Sequence, residues 1–259
     1  MHGLLDAGFE IPHACQAGAC QACKMQVTQG ALPQAAQAGL SQAEKKLGYF
    51  LSCLCTPTEE ITLADSQTTQ KYESQVLDIT LLKAQVLRLR LSPVFDFMAG
   101  QYFTIWHKGT MARSYSIASL PSDNYIECHI KLIDGGAFST YAHTELKVGD
   151  TLSLQGPMGT CIYSPQTLEQ PLLLAGISTG LAPIYGIAKH ALSEGHQGPI
   201  HLISGAKTAE GLYLMDELQA LENKHSNLTV SFVVQSHHQR QANIIEDDIY
   251  HYCKTHILK

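Results

Sequence analysis

The sequence predicts a multidomain protein in which an α+β segment, an antiparallel β segment and an α/β segment follow one another. Three observations predict this organisation. Closely spaced cysteines lie near the start of the 259 residues, apolar residues alternate with polar ones through the middle, and apolar strands alternate with helices in the last third. A chain of this length has room for two or three domains, each with its own core.

Composition and charge argue against several classes of protein. The hydrophobic fraction of 45% and the charged fraction of 15% are typical of a globular protein. A net charge of -6 without a Lys or Arg run argues against a nucleic-acid partner. The apolar stretch 171–192 is interrupted by glycines, prolines and Lys189, which argues against a membrane span. Met1–Asp6 lacks a secretory signal, so we expect a cytoplasmic protein whose eight cysteines stay reduced.

The first segment carries a thiol cluster. Cys15, Cys20 and Cys23 are separated by four and two residues, and Cys53 follows in "FLSCLC". Thiolates bind iron and zinc strongly, and a four-residue gap, a two-residue gap and a distant fourth thiol are typical of plant-type two-iron ferredoxins. A zinc knuckle and buried thiols without a metal are the alternatives, and Cys55 is a possible substitute for Cys53. We predict a 2Fe-2S cluster on Cys15, Cys20, Cys23 and Cys53.

The elements around these thiols are short. "HGLLDAGFEI" predicts a helix and "KMQVTQGAL" a strand that turns at Gly30. Ser41 followed by Glu44 predicts a capped helix start. This segment resembles the second part of a plant-type ferredoxin domain, and the resemblance implies a partial β-grasp fold whose opening hairpin would lie upstream of Met1.

The middle segment has the period of antiparallel strands. In "QVLRLRLSP", Leu87, Leu89 and Leu91 alternate with arginines, and "QYFTIWHK", "RSYSIAS", "NYIECHIKLI" and "DTLSLQGPMG" repeat the pattern. Such strands fit a small β-barrel. One helix, "AFSTYAHTEL", interrupts them.

Four motifs in this segment carry a second resemblance, among them "AGQY" at 99–102 and "GPMG" at 156–159. Arg113–Ser116 matches the Arg-x-Tyr-Ser signature of the ferredoxin–NADP reductase superfamily, and Gly136–Ser139 matches its Gly-x-x-Ser. The resemblance implies a Greek-key barrel that binds FAD. In it, Arg113 would meet a phosphate, Tyr115 the flavin ring and Ser116 the reactive flavin nitrogen, which makes Ser116 the candidate catalytic residue. Gly136 and Ser139 would hold the pyrophosphate at a helix start.

The last segment alternates strands and helices, which predicts a parallel sheet with right-handed crossovers. The strands are "PLLLAG", "PIHLISGAK" and "LTVSFVVQS", and the helices are "LAPIYGIAKHALSEG", "AEGLYLMDELQALE" and "NIIEDDIYHYCKTH". Gly176 and Gly180 lie in the first strand-to-helix turn, and Pro183 lies in the first turn of the helix. The turn lacks the three-glycine Rossmann fingerprint and resembles the superfamily's own nucleotide-binding turn.

Taken together, the chain resembles the reductase components of multicomponent bacterial oxygenases. The resemblance implies a ferredoxin domain at 1–70, an FAD-binding barrel at 71–166 and an NAD(P)-binding domain at 167–259. It also implies electron flow from NADH or NADPH through FAD and the cluster to a partner such as an oxygenase, and we favour NADH. The opening hairpin of the ferredoxin domain and a last strand with a Cys-Gly-x-Pro turn are both absent from the sequence, so we expect a chain truncated at both ends. The alternatives are an electron carrier with vestigial flavin and nucleotide domains, and a zinc-stabilised interaction protein.

Overall fold

A computed structural model describes residues 1–9, 17–18, 23–64, 70–107, 111–236 and 243–257. The chain divides into two compact units, Met1–Thr69 and Gln70–Lys259, called here the first and second units. Within the described ranges, no helix combines the length and the apolar character needed to cross a membrane.

The first unit is small and built around one antiparallel sheet. Its strands pair in the order β2-β1-β3, and its second helix begins with the predicted capping box, in which Ser41 and Glu44 exchange hydrogen bonds. Its core is a modest cluster centred on Cys23, Leu40 and Leu51. The elements are α1 (His2–Asp6), β1 (Lys24–Gln29), α2 (Gln42–Lys46), β2 (Tyr49–Leu51) and β3 (Thr62–Leu63).

The second unit begins with a six-stranded antiparallel sheet in the order β7-β6-β9-β4-β5-β8. The predicted alternation is confirmed, since Leu87, Leu89 and Leu91 are buried while the arginines between them are partly exposed. The end strands β7 and β8 approach each other, which closes the barrel. The elements are β4 (Tyr72–Leu82), β5 (Val86–Leu91), β6 (Tyr102–His107), β7 (Met111–Ser116), β8 (Ile126–Lys131), α3 (Ala137–Thr144) and β9 (Thr151–Met158).

A four-stranded parallel sheet, β10-β11-β12-β13, completes the second unit. Its hydrophobic strands are buried between helices, as expected for a parallel sheet. The elements are β10 (Leu172–Ile177), α4 (Leu181–Ser193), β11 (Ile200–Ala206), α5 (Met215–Lys224), β12 (Leu228–Val234), β13 (Ile244–Glu246) and α6 (Ile249–Tyr252), followed by a π-helical turn, Cys253–Ile257.

Two of the predicted helices begin later than their sequence pattern indicated. The helix expected in "AEGLYLMDELQALE" starts only at Met215, because Leu212–Leu214 run into the core as buried apolar residues. In "NIIEDDIYHYCKTH", residues Ile244–Glu246 form β13, which pairs in parallel with β12. The helix there begins only after Asp248, whose carboxylate accepts hydrogen bonds from the backbone N–H groups of Tyr250 and His251.

Candidate functional site

A cavity of about 490 Å³ lies in the second unit, between the barrel and the first turn of the parallel sheet. Side chains from β7, β8 and α3 form its barrel side, and the turn before α4 forms the other. Six of the predicted flavin and nucleotide residues line it: Arg113, Tyr115, Ser116, Gly136, Ser139 and Gly180. Residues far apart in the sequence therefore meet at one concave surface, which we call the flavin cavity.

The Arg-x-Tyr-Ser motif occupies the end of β7. Arg113 is exposed, its guanidinium donates to the carbonyl of Ala112 at 2.7 Å, and among the described residues it has no carboxylate partner. Tyr115 is half-buried and packs against Phe138, with 5.7 Å between the ring centroids. Burial raises the pKa of Tyr115, so its hydroxyl stays protonated at neutral pH. A free cation beside a fixed aromatic face fits a phosphate-bearing flavin.

The Gly-x-x-Ser motif forms the start of α3. Gly136 is the residue before the helix, and a Cβ there would lie only 2.5 Å from the Ser139 hydroxyl oxygen. The Ser139 hydroxyl accepts a hydrogen bond from Ile133 N–H at 3.2 Å and donates to the Gly136 carbonyl at 3.1 Å. Ser139 therefore shapes the turn, and the backbone N–H groups of the first helical turn are left for an anion.

The first turn of the parallel sheet separates the predicted nucleotide residues. Gly180 lines the flavin cavity, whereas Gly176 and Pro183 do not. A Cβ on Gly176 would lie 2.6 Å from the carbonyl oxygen of Gly180, so Gly176 allows the turn to close on itself. Pro183 is the third residue of α4, where its missing N–H costs no helical hydrogen bond. These two residues shape the turn, and Gly180 faces the cavity.

Sequence reasoning missed three polar residues of the cavity: His129, Lys131 and Thr179. His129 and Lys131 are two positions apart on β8, so their side chains share one face of the strand. The Lys131 ammonium donates to the Ser178 hydroxyl at 3.4 Å, and Ser178 lies in the turn between β10 and α4, called here the nucleotide turn. The signal available in the sequence was the alternation of Glu127, His129 and Lys131 with apolar residues in "NYIECHIKLI".

A smaller cavity, of about 110 Å³, lies at the carboxyl ends of the parallel strands. Lys207, Gln235, Asp247 and Asp248 line it together with apolar residues. The His251 ring is hydrogen-bonded to the Asp247 carboxylate at 2.9 Å, which lowers the pKa of Asp247. The cavity therefore presents one lysine and two carboxylates at the edge where open α/β sheets bind ligands.

The first unit brings two of the predicted cluster ligands together, while Cys15 and Cys20 lie outside the described residues. Burial alone would raise the pKa of Cys23, but hydrogen bonds from the backbone and the thiol of Cys53 outweigh it, so its pKa is lowered. Burial raises the pKa of Cys55. Cys23 and Cys53 belong to the same apolar cluster. Two adjacent thiols in apolar surroundings, one of them with a lowered pKa, fit a thiolate-bound cluster.

A group of three or more candidate metal ligands was found nowhere in the part of the chain that the structure describes. That part contains only two of the four predicted thiol ligands, Cys23 and Cys53.

Three family models match the chain in succession. They are a 2Fe-2S iron-sulfur cluster binding domain over residues 1–58, an oxidoreductase FAD-binding domain over 78–163 and an oxidoreductase NAD-binding domain over 173–252. The predicted order of cofactor-binding segments is confirmed. The match to all three domains supports a reductase and speaks against a bare electron carrier or a zinc-stabilised protein.

Curated relatives and solved structures agree with these matches. The chain is 33% identical, over 86% of its length and 71% of the relative's, to the ferredoxin–NAD(P)+ reductase component of the naphthalene 1,2-dioxygenase/salicylate 5-hydroxylase systems of Ralstonia sp. It is 31% identical to the reductase component of the naphthalene 1,2-dioxygenase system of Pseudomonas putida, over 95% of this chain and 78% of the relative.

Among solved structures, the Amycolatopsis cytochrome P450 reductase GcoB has the same fold. It superposes with a TM-score of 0.63 at 24% identity, over 97% of this chain and 80% of that one. The chain belongs to the family of ferredoxin–NAD(P)+ reductase components, oxidoreductases that combine a 2Fe-2S domain with FAD- and NAD-binding domains.

Proposed function

We propose that this chain takes electrons from NADH at an FAD held in the flavin cavity and passes them through a 2Fe-2S cluster to an oxygenase component. The observation that carries the proposal is the flavin cavity itself. It unites the Arg-x-Tyr-Ser strand, the Gly-x-x-Ser helix start and the nucleotide turn in one site. When bound, the flavin supplies the step from a two-electron hydride donor to a one-electron acceptor.

In the flavin cavity each side of the FAD has a residue suited to it. Arg113 offers a permanent charge to a phosphate, and the N–H groups at the start of α3 offer a second anion site. The ring of Tyr115, fixed by Phe138, offers a flat face to the flavin ring. Ser116 lines the same cavity from the end of β7, and we propose its hydroxyl as the group that faces the reacting edge of the flavin.

The thiols of the first unit are proposed to hold the cluster through Cys15, Cys20, Cys23 and Cys53. The hydrogen bond between Cys53 and Cys23 favours Cys53 as the fourth ligand over Cys55. Adjacent thiols can ligate one cluster without a large backbone rearrangement.

The smaller cavity supports NADH over NADPH as the electron donor. Among the described residues that line it, Lys207 is the one cation, and it is opposed by Asp247 and Asp248. The 2′-phosphate of NADPH would bring additional negative charge toward these carboxylates, whereas the 2′-hydroxyl of NADH can donate a hydrogen bond to one.

The partner and the domain limits complete the proposal. Reductase components of dioxygenase systems are among the relatives, including the toluate 1,2-dioxygenase electron transfer component of Pseudomonas putida. We therefore propose an oxygenase component as the electron acceptor. We also propose domain limits at 1–70, 71–166 and 167–259, and the division of the chain into the units Met1–Thr69 and Gln70–Lys259 supports the first of these limits.

The test is the cofactor content of the purified protein. Visible absorption, acid extraction of the flavin and iron analysis should find FAD and a 2Fe-2S cluster in the same molecule. A cluster without flavin would favour the simple electron carrier, and a colourless protein that contains zinc would overturn the proposal.

A further inference from the structure

Four hydrogen-bonded side chains, Arg90, Glu127, His129 and Tyr213, form a polar network beside the flavin cavity. The Glu127 carboxylate accepts a hydrogen bond from the Nε of Arg90 at 2.8 Å and lies 3.2 Å from the Nε2 of His129. The Nδ1 of His129 lies 3.1 Å from the Tyr213 hydroxyl. His129 lies on β8 and Tyr213 lies between β11 and α5, 84 positions later, so the polar network joins the barrel to the parallel-sheet part of the second unit.

One arrangement of protons satisfies every hydrogen bond of the polar network. The side chains of His129 and Glu127 are 0% and 4% exposed, and Tyr213 is 1% exposed. Burial would raise the pKa of Glu127, but hydrogen bonds from His129 and Arg90 lower it to about 2. Burial raises the pKa of Tyr213, which therefore keeps its proton. Hence Tyr213 donates to His129 Nδ1, and His129 Nε2–H donates to the ionised Glu127.

This polar network reaches one cavity directly and the other through a short segment of backbone. His129 lines the flavin cavity, and Tyr213 lies on the segment Lys207–Leu214 that follows β11. Lys207, the first residue of that segment, lines the smaller cavity. The hydrogen bond therefore connects the flavin side of the second unit directly to the segment on its nucleotide side.

Two ion pairs between the barrel and α5 are longer and more exposed than this hydrogen bond. The ion pairs Lys83–Asp216 and Arg88–Glu217 both reach α5, but each spans 3.9 Å and has a substantially exposed carboxylate. Exposed pairs at this distance orient their partners poorly. A buried hydrogen bond has a fixed direction, and leaving either member without its partner is costly.

We propose that the His129–Tyr213 hydrogen bond, supported by Glu127 and Arg90, is a positioning contact that fixes the distance and orientation of the nicotinamide relative to the flavin. This inference rests on the proposed function. His129 and Tyr213 act by holding the segment Lys207–Leu214 at a fixed place relative to the barrel, and they take no part in the chemistry. Hydride transfer needs its reacting atoms within about 3–3.5 Å, so small displacements of the nucleotide cost rate.

The chain offers a closely matched control for a test. The Tyr163 hydroxyl is hydrogen-bonded to His196 Nδ1 at 2.9 Å, and Tyr163 is buried in the same hydrophobic cluster as Tyr213. Neither tyrosine lines either cavity, but His129, the partner of Tyr213, lines the flavin cavity, whereas His196, the partner of Tyr163, lines neither cavity. Tyr213→Phe and Tyr163→Phe therefore each remove one buried hydroxyl from an imidazole, and only Tyr213→Phe removes the proposed positioning contact.

The experiment compares the two variants with the wild type in three measurements. They are the rate of flavin reduction at saturating NADH, the long-wavelength charge-transfer absorbance of the flavin with bound NAD+, and urea unfolding of the flavin-free protein. We expect both variants to lose similar stability. Only Tyr213→Phe should lose the charge-transfer band and slow flavin reduction, on the order of tenfold, with dithionite reduction unchanged.

A second pair of variants separates positioning from packing. His129→Gln keeps an acceptor for the Tyr213 hydroxyl and should recover part of the rate, whereas His129→Leu should not. Equal flavin reduction and charge-transfer absorbance in Tyr213→Phe and Tyr163→Phe would overturn the positioning role. If wild-type flavin is reduced by neither NADH nor NADPH, the proposed function fails instead, so the two failures are distinguishable.

Discussion

The two units of this protein bury very different cores. The second unit holds two large apolar clusters, one inside the barrel and one between the parallel sheet and its helices. Among its described residues, the first unit holds one small apolar cluster, which includes Cys23 and Cys53. Small units with little apolar core commonly need a metal to fold stably. We infer from this difference that cluster binding contributes more to the stability of the first unit than to that of the second.

The largest expected effect is loss of the cluster. Cys53→Ser should remove most of the iron and unfold much of the first unit, while FAD content stays at the wild-type level, because FAD is held by the second unit. Iron analysis, flavin extraction and hydrogen exchange of each unit measure this. Cys55→Ser is the matched control, and the ligand assignment is wrong if that variant loses the cluster and Cys53→Ser keeps it.

A large effect is also expected from the buried carboxylate of the second unit. The pKa of Glu127 is lowered to about 2, from 4.5. A carboxyl group with a lowered pKa contributes stability above its unfolded pKa and loses it as pH falls toward the folded value. Glu127→Gln should cost about 3 kcal/mol at pH 7 and flatten the loss of stability between pH 4.5 and 2.

Urea unfolding of the flavin-free protein, followed by fluorescence, measures this effect at each pH. Trp106 is the single tryptophan, lies on β6 and donates to Gln155 at 3.0 Å, so the signal reports the second unit alone. An acid dependence as steep in the variant as in the wild type would show that Glu127 contributes nothing to it.

A moderate effect is expected on flavin affinity. Arg113→Ala removes the free guanidinium of the flavin cavity and should weaken FAD binding by about 1.5–3 kcal/mol, through loss of a charge-assisted hydrogen bond to phosphate. Titration of the apoprotein with FAD, followed by flavin fluorescence, gives the affinity. Lys147→Ala, which removes an exposed charge from the loop after α3, should leave it unchanged. Equal affinities in both variants would remove Arg113 from the site.

The smallest effect concerns the first unit and its capping box. Ser41 caps α2, and Lys24 pairs with Glu44 at 2.6 Å, which together with Ser41 lowers the pKa of Glu44 to about 2. Ser41→Ala should destabilise α2 by about 1 kcal/mol. Hydrogen exchange of the Gln42–Lys46 amides measures it, with the exposed substitution Gln42→Ala as control. Unchanged protection in Ser41→Ala would mean that tertiary packing alone holds this helix.

Periodicity predicted most of the fold. The alternation around Leu87, Leu89 and Leu91 fixes which face of a strand is buried, and the capping pattern at Ser41 marks a helix start, so both were readable. The short strand Ile244–Glu246 was not, because three residues are too few to show a period and the strand exists only through pairing with β12.

The site was predictable where it rests on local motifs. Arg113, Tyr115, Ser116 and Ser139 sit in short signatures, and the fold brings them to one cavity. His129 and Tyr213 carry no signature, since their relation is a contact between residues 84 positions apart. Such contacts depend on how the parallel sheet packs on the barrel, which residue patterns do not encode.

The most direct test of the central claim is anaerobic titration of the purified protein with NADH, followed by visible absorption and electron paramagnetic resonance. The account predicts that flavin absorbance bleaches first and that the signal of the reduced 2Fe-2S cluster then appears in the same molecules. In Arg113→Ala protein depleted of FAD, NADH should leave the cluster oxidised although dithionite still reduces it. Cluster reduction by NADH without flavin would contradict the account.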